Sequence, residues 1–192
     1  MTQALYHTMS NNSEEELLIK IRKDPEKFSE LYDLYFDKIL NYVFHRTSDF
    51  DLARDITAEV FIKVYLKIWT FRWRKISIGA WIYRIATNEV NQYFRKRKYQ
   101  AQNLMEWQMN SILQFESIES EKEDAMKEVQ AHSDYNKVQR ILTGMEIKFQ
   151  EVIALRYFDK KSIREISEIV NKKEGTVKSL ISRGLEKIRN RF

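Results

Sequence analysis

The chain has 192 residues, a formal charge of +5, no cysteine, four glycines and one proline. The length allows one or two small domains, and the missing cysteine excludes disulfides and thiolate metal sites. Scarce Gly and Pro beside abundant Leu, Ile, Lys and Glu leave few strand or turn signals, so an all-α fold is expected. No apolar run approaches the roughly 18 residues that cross a bilayer, and the N-terminus lacks a signal-peptide core, so a soluble intracellular protein without membrane insertion is expected. His7, His45 and His132 stand far apart in no ligand-spaced pattern and read as ordinary histidines rather than metal ligands.

Residues Met1 to Asn12 are polar and irregular. Ser13 followed by three glutamates marks a short helix running to Lys23, with acid at the positive end of its dipole. Asp24-Pro25 breaks and restarts the chain. From Phe28 the apolar residues Leu31, Tyr32, Tyr35, Ile39, Tyr42 and Val43 follow helical steps and predict a long amphipathic helix with an aromatic buried stripe. After a polar loop, a helix over about Asp51 to Thr70 buries Leu52, Ile56, Val60, Val64 and Ile68. Asp55, Glu59 and Lys63 form a polar stripe on it, which reads either as a solvated face with local ion pairs or as a partner-binding face.

Thr70 to Gly79 interleaves Phe71 and Trp73 with Arg72, Arg74 and Lys75. Rings that stack on exposed bases and cations that hold phosphates suit single-stranded nucleic acid; the plainer reading is a loop whose rings cap the core. The next helix, Ala80 to Lys98, carries a polar face of Arg84, Asn88, Asn91, Gln92 and Arg95 and ends in a basic cluster. Amides can read base edges and cations suit phosphate, although a basic end also complements a helix dipole. The acidic stretch within Tyr99 to Asn136 reads as a partly helical linker. Val138 to Phe158 regains helical periodicity, with a break near Thr143-Gly144.

The last stretch, Asp159 to Phe192, reads as two short helices joined by a tight polar turn, a helix-turn-helix. Ser162 is placed to cap the first. In the second, Val177, Ile181, Gly184, Leu185 and Ile188 share one side, and Lys178, Ser179, Ser182, Arg183 and Glu186 the other. A guanidinium, an ammonium and small hydroxyls are what a major-groove reader needs. No phosphate-binding loop, nucleophile elbow, zinc-protease pattern or dinucleotide fingerprint is present, so neither catalysis nor a cofactor is expected.

Taken together, these segments resemble the extracytoplasmic-function group of bacterial sigma factors. FSELYDLYFDKILNYVF and DLARDITAEVFIKVYLKIW are similar to sigma regions 2.1 and 2.2. SIGAWIYRIATNEVNQYFRKRK is similar to regions 2.3 and 2.4, and FQEVIALRYFDKKSIREISEIVNKKEGTVKSLISRGLEKIR to region 4. The resemblance implies two helical domains, 13–98 and 137–192, joined by an acidic linker over 99–136. It implies that Asp55 and Glu59 dock on the β′ clamp helices of core RNA polymerase, with a further contact to the β flap. Trp73, Lys75, Asn88, Gln92 and Arg95 would bind the −10 element, captured as single strand after melting, and Lys178, Ser179, Ser182 and Arg183 would read the duplex −35 element. An anti-sigma factor and a cytoplasmic location are implied as well.

Three positions depart from the pattern. Ala58 stands where Gln is common, and Leu180 where relatives often carry Arg, which implies one missing DNA contact. Asn171 replaces a frequent Gly in the turn but tolerates the left-handed conformation. The alternatives are a stand-alone helix-turn-helix transcriptional regulator, which would leave the Ala80 to Lys98 helix without a task, and a protein-binding adaptor.

Overall fold

A computed structural model of the chain describes residues 11–72, 76–107 and 137–191, and these form helices with no strand among them. In chain order the helices are α1 (Asn11–Lys23), α2 (Phe28–Thr47), α3 (Phe50–Lys67), α4 (Ile78–Trp107), α5 (residues 137–143), α6 (Ile147–Ile153), α7 (Ile163–Val170) and α8 (Glu174–Arg189). Residues 108–136 of the expected acidic linker lie outside the described residues, as do His7 and His132. The helix expected to stop at Lys98 continues to Trp107.

Helix boundaries follow local chemistry. Asp24 accepts from the Glu26 amide at 3.1 Å, and Pro25 opens the 3-10 turn that feeds α2. Asp49 caps α3 through the Leu52 amide at 3.0 Å. Ser162 and Glu165 form a reciprocal capping box at the start of α7, at 3.2 and 2.8 Å. Each such cap contributes about 1 kcal/mol. Asn171 ends α7 in the left-handed conformation, at φ 53° and ψ 49°, which an Asn side chain tolerates.

The N-terminal half packs α2, α3 and α4 around Leu31, Ile39, Val43, Val60, Val64, Ile82 and Val90, all fully buried. Tyr32, expected in this stripe, is 37% exposed instead. Helix α1 is fastened by Tyr35, whose hydroxyl donates to Glu14 at 2.6 Å. Burial raises the Glu14 carboxyl above its ordinary range and raises the Tyr35 phenol as well. Gly79 makes room for that phenol: a Cβ there would come within 2.8 Å of Tyr35 Oη. In the C-terminal half, α6, α7 and α8 enclose Phe149, Val152, Leu155, Ile166, Ile169 and Val177.

The two halves touch. Helix α4 packs along α7, and α2 packs against a π-helical turn, Ala154–Phe158, that continues α6. In this wider turn the Asp159 amide donates to Ala154 O at 3.2 Å, five residues back. The turn sets Phe158 on the His45 ring, with centroids 4.1 Å apart, and Asp159 beneath Tyr83, whose hydroxyl donates to it at 2.8 Å. Arg46, at the end of α2, is fully buried between the halves. It donates to Asn91 Oδ1 at 2.8 Å, to Gln150 Oε1 at 3.2 Å and to the Tyr42 hydroxyl at 3.2 Å. The apolar periodicity of α2 gives no hint of this residue's burial.

Candidate nucleic-acid and protein interfaces

Helix α8 presents the first candidate face. Val177, Ile181 and Gly184 are buried against α6 and α7, which leaves Lys178, Ser179, Ser182 and Arg183 exposed, as expected from the helical layout. Arg183 is not splayed freely: its Nε donates to Ser179 O at 3.3 Å, and its guanidinium sits 5.8 Å from the centroid of Phe149. Lys187 and Lys148 approach the same ring at 5.3 and 5.0 Å, and both pair with Glu146, at 3.7 and 2.7 Å. Leu180 is only 4% exposed. It is a core residue here rather than a surface position that lacks a charge.

Sequence reasoning missed the start of this helix. Lys173, at the N-cap position, gives no side-chain hydrogen bond. The residues from Asn171 to Thr176 are all exposed. The first-turn amides have no partner within the helix and belong to exposed residues beside Lys172 and Lys173, a setting that favours an anion. The signal was legible: KKEGT places no Ser, Thr, Asp or Asn where a cap belongs.

The second face lies on α4. Asn88, Gln92 and Arg95 are exposed and line up at four- and three-residue steps, followed by exposed Lys96 and Arg97. The expected amide face is narrower than the sequence suggests. Asn91, on its flank, turns inward, accepting from Arg46 and donating to Glu151 at 3.2 Å. Arg84, on the same flank, is engaged with the end of α7. Phe71 is only 6% exposed and packs on Trp81 with centroids 4.8 Å apart, while Arg22 donates to its carbonyl. This ring belongs to the core and offers no face to a base. Trp73 and Lys75 lie outside the described residues.

The third face lies on α3. Asp55 and Glu59 are exposed one turn apart, with Glu59 bonded to Lys63 at 3.2 Å. Lys63 in turn reaches Glu89 at 2.5 Å and so ties α3 to α4. Beside the two acids stand Ile62 at 55% exposure, Tyr65 at 44% and Leu66 at 66%. At about 100° per residue Ile62 and Leu66 fall on the face that carries Asp55 and Glu59, and Tyr65 lies on its flank. An exposed apolar cluster edged by acids suits contact with a protein partner. Sequence reasoning found the acids and missed the apolar centre, because α3 is apolar around much of its circumference.

No group of acidic or histidine side chains suited to a metal occurs among the described residues. No described helix is long and apolar enough to cross a membrane.

Known proteins resemble this chain in both halves. Residues 31–99 match the family described as Sigma-70 region 2, and residues 135–188 match Sigma-70, region 4. The chain is 31% identical to the ECF RNA polymerase sigma factor SigW of Bacillus subtilis, over 88% of this chain and 90% of that protein. It is 27% identical to the ECF RNA polymerase sigma factor BldN of Streptomyces coelicolor, over 82% of this chain and 57% of that longer protein. Its fold is similar to that of the sigma factor RpoE of Bartonella quintana, solved with the anti-sigma factor NepR. The TM-score is 0.64 at 19% identity, covering 86% of this chain and 96% of that one. CnrH, solved with the cytosolic domain of CnrY, gives a TM-score of 0.66 at 14% identity, covering 92% and 95%.

Proposed function

Because the chain belongs to the extracytoplasmic-function group of the sigma-70 family, we propose that its three exposed faces divide the work of transcription initiation. The protein is an RNA polymerase sigma factor: it binds core polymerase and directs promoter recognition and DNA melting. It is not an enzyme, since bond chemistry belongs to the polymerase.

Asp55 and Glu59, with Ile62 and Leu66 beyond them along the same face, dock on the β′ clamp helices, and the C-terminal half meets the β flap. Apolar burial supplies the affinity, and the acids set the register and exclude wrong partners. Lys178, Ser179, Ser182 and Arg183 read the duplex −35 element, and the uncapped amides at the start of α8 hold a phosphate. Asn88, Gln92 and Arg95 bind the −10 element. Trp73 and Lys75 capture its non-template strand once it opens, where a stacked base contributes about 1–3 kcal/mol. Residues 13–98 and 137–192 act as the two DNA-binding domains, joined by the acidic 99–136 stretch. The protein works in the cytoplasm. An anti-sigma factor regulates it, as RpoE and CnrH are each seen with such a partner or a partner's cytosolic domain.

The observation that carries this reading is the pair of exposed DNA-suited faces, on α4 and α8, in one chain that also exposes the acid-edged apolar face of α3. A stand-alone regulator would need only α8. Run-off transcription with core polymerase on a randomised promoter library tests it: discrete transcripts that depend on the protein support the reading, and their absence overturns it. Trp73→Ala with Lys75→Ala should impair melting, read by permanganate reactivity of unpaired thymines, more than initial binding, read by footprinting. Activity should return in part on a template already mismatched across the −10 region. A variant that melts duplex promoters as well as the wild type removes the strand-capture role.

A further inference from the structure

Helix α4 carries Arg84, Arg95, Lys96, Arg97 and Lys98, and from Ile78 to Met105 its one acid is Glu89. At about 100° per residue, Glu89 falls on one flank of the Asn88, Gln92 and Arg95 row, opposite the flank of Arg84 and Asn91. Gln92 follows three residues later, so the two Cβ atoms lie about 5–6 Å apart. That is well within the Debye length of about 10 Å at 0.1 M salt. A bare carboxylate in this place would repel a phosphate chain laid along the row.

The carboxylate is not bare. Lys63 reaches across from α3 and holds Glu89 Oε2 at 2.5 Å, with Glu59 Oε1 on its other side at 3.2 Å. The hydrogen bond to Glu89 is the leading cause that raises the Lys63 ammonium above its ordinary range. The Lys63 and Glu89 side chains are 29% and 16% exposed, so the pair lies at the edge of solvent rather than in the core. Ion pairs so placed contribute little to the stability of a fold. Their effect on a neighbouring polyanion is larger, because each charge acts on several phosphates together. Helix α3 supplies the cation from the side, and Asn88, Gln92 and Arg95 stay exposed.

We propose that Lys63 is a positioning residue for the DNA face of α4. It cancels the one carboxylate that opposes the phosphate chain and draws it toward α3, away from the row. The inference rests on the reading of the α4 face as the site of the −10 element. The charge arithmetic is simple. Lys63 and Glu89 together add nothing to the face, Glu89 without Lys63 adds one negative charge, and Lys63 without Glu89 adds one positive charge.

Holoenzyme assembled from core polymerase and the full-length chain tests this. The probe is a fluorescein-labelled fork-junction DNA whose single-stranded −10 segment comes from a promoter that the wild type transcribes. Core polymerase is kept saturating, so that affinity at the α3 face does not enter. Anisotropy at about 0.1 M salt should show Lys63→Met bound about fivefold more weakly than the wild type, and Glu89→Gln more tightly by about the same factor. Lys63→Met with Glu89→Gln removes both charges and should return to within about twofold of the wild type, and Lys63→Arg should match it. Raising the salt should shrink all these differences together.

A merely mechanical tie between α3 and α4 gives another pattern: the double variant binds as weakly as Lys63→Met, and salt changes nothing. That pattern overturns the inference, as does full binding by Lys63→Met alone. Glu89→Gln keeps the side-chain volume, so its gain in affinity tests the charge separately from any loosening of the helices in Lys63→Met. A wild type that fails to transcribe removes the −10 assignment and this inference with it. A transcribing protein in which Glu89→Gln gives neither gain nor rescue removes this inference alone.

Discussion

Tyr83 of α4 donates its phenolic proton to Asp159 across the contact between the halves, at 2.8 Å. Burial pushes the Asp159 carboxyl up from its ordinary 3.8 to about 7, against the lowering effects of the Tyr83 hydrogen bond and nearby Lys161. The folded protein therefore holds a proton there up to about pH 7, whereas the unfolded chain releases it near pH 4. The folded state binds more protons across this window, so this group's contribution to stability falls as pH rises through it. Asp159→Asn removes that slope. The variant should gain several degrees in Tm over the wild type at pH 8 relative to their difference at pH 5. His45, whose imidazole burial holds below its ordinary range, is common to both proteins and cancels in the comparison. An equal difference at both pH values counts against a proton-holding Asp159.

Gly79 should not tolerate a side chain. Its added Cβ would meet Tyr35 Oη at 2.8 Å with the ring carbons close behind at 3.2 and 3.3 Å, and the phenol is pinned by Glu14. Gly79→Ala should cost about 1–3 kcal/mol by overpacking. In a Tyr35→Phe background the cost should shrink, since the nearest atom is gone. Denaturant melts of the four proteins measure the coupling; additive effects would mean that the helix start shifts instead.

The elements that were legible in the sequence are those fixed by local chemistry. The Ser162–Glu165 capping box, the left-handed Asn171, the Asp24-Pro25 restart and the break near Gly144 each follow from residues within a few positions. The exposure of Lys178, Ser179, Ser182 and Arg183 followed from periodicity alone. What escaped depends on neighbours distant in the chain. Leu180 lies on one flank of the apolar arc of α8 and Leu185 on the other. The direction from which α6 and α7 approach rotates burial toward Leu180 and leaves Leu185 only partly covered. Phe71 fills space beside Trp81 that no loop composition could announce, and Arg46 is buried only because residues about a hundred positions later come to meet it.

On α3, the apolar side chains should matter as much as the acids. Leu66→Ala and the double reversal Asp55→Lys, Glu59→Lys should each weaken binding to core polymerase at least tenfold. The side chains are exposed, so Tm should move little. Fluorescence titration with labelled protein measures this. Unchanged affinity in both variants would place the polymerase contact elsewhere. Loss in the charge variant alone would assign the docking to the acids.

On α8, Arg183 and Lys178 should differ in kind. Arg183→Ala should cost about 1–3 kcal/mol and relax preference at one or two −35 positions if the guanidinium leaves Phe149 to bind a base edge. Lys178→Ala should weaken all sequences alike and flatten the salt dependence by about one unit of slope if it holds a phosphate. Competition binding across single-base variants at two salt concentrations separates the two patterns. A uniform loss for Arg183→Ala would mark it as a backbone contact.

Across the contact between the halves, Gln139 Nε2 donates to the His45 carbonyl at 3.0 Å, Gln150 Nε2 to the Arg46 carbonyl at 2.9 Å and the Arg84 guanidinium to the carbonyls of Glu168 and Ile169, with a consequence for how such a contact changes across a lineage. A side chain that bonds another side chain ties two genetic positions together: change one and the other must follow. Here the acceptors at His45, Arg46, Glu168 and Ile169 are main-chain oxygens, which every residue supplies. Gln139, Gln150 and Arg84 can therefore be strengthened, weakened or lost one at a time without a matching substitution on the other half. Descendants could tune the strength of this contact in small independent steps. A search for co-varying pairs of positions would pass over these bonds entirely.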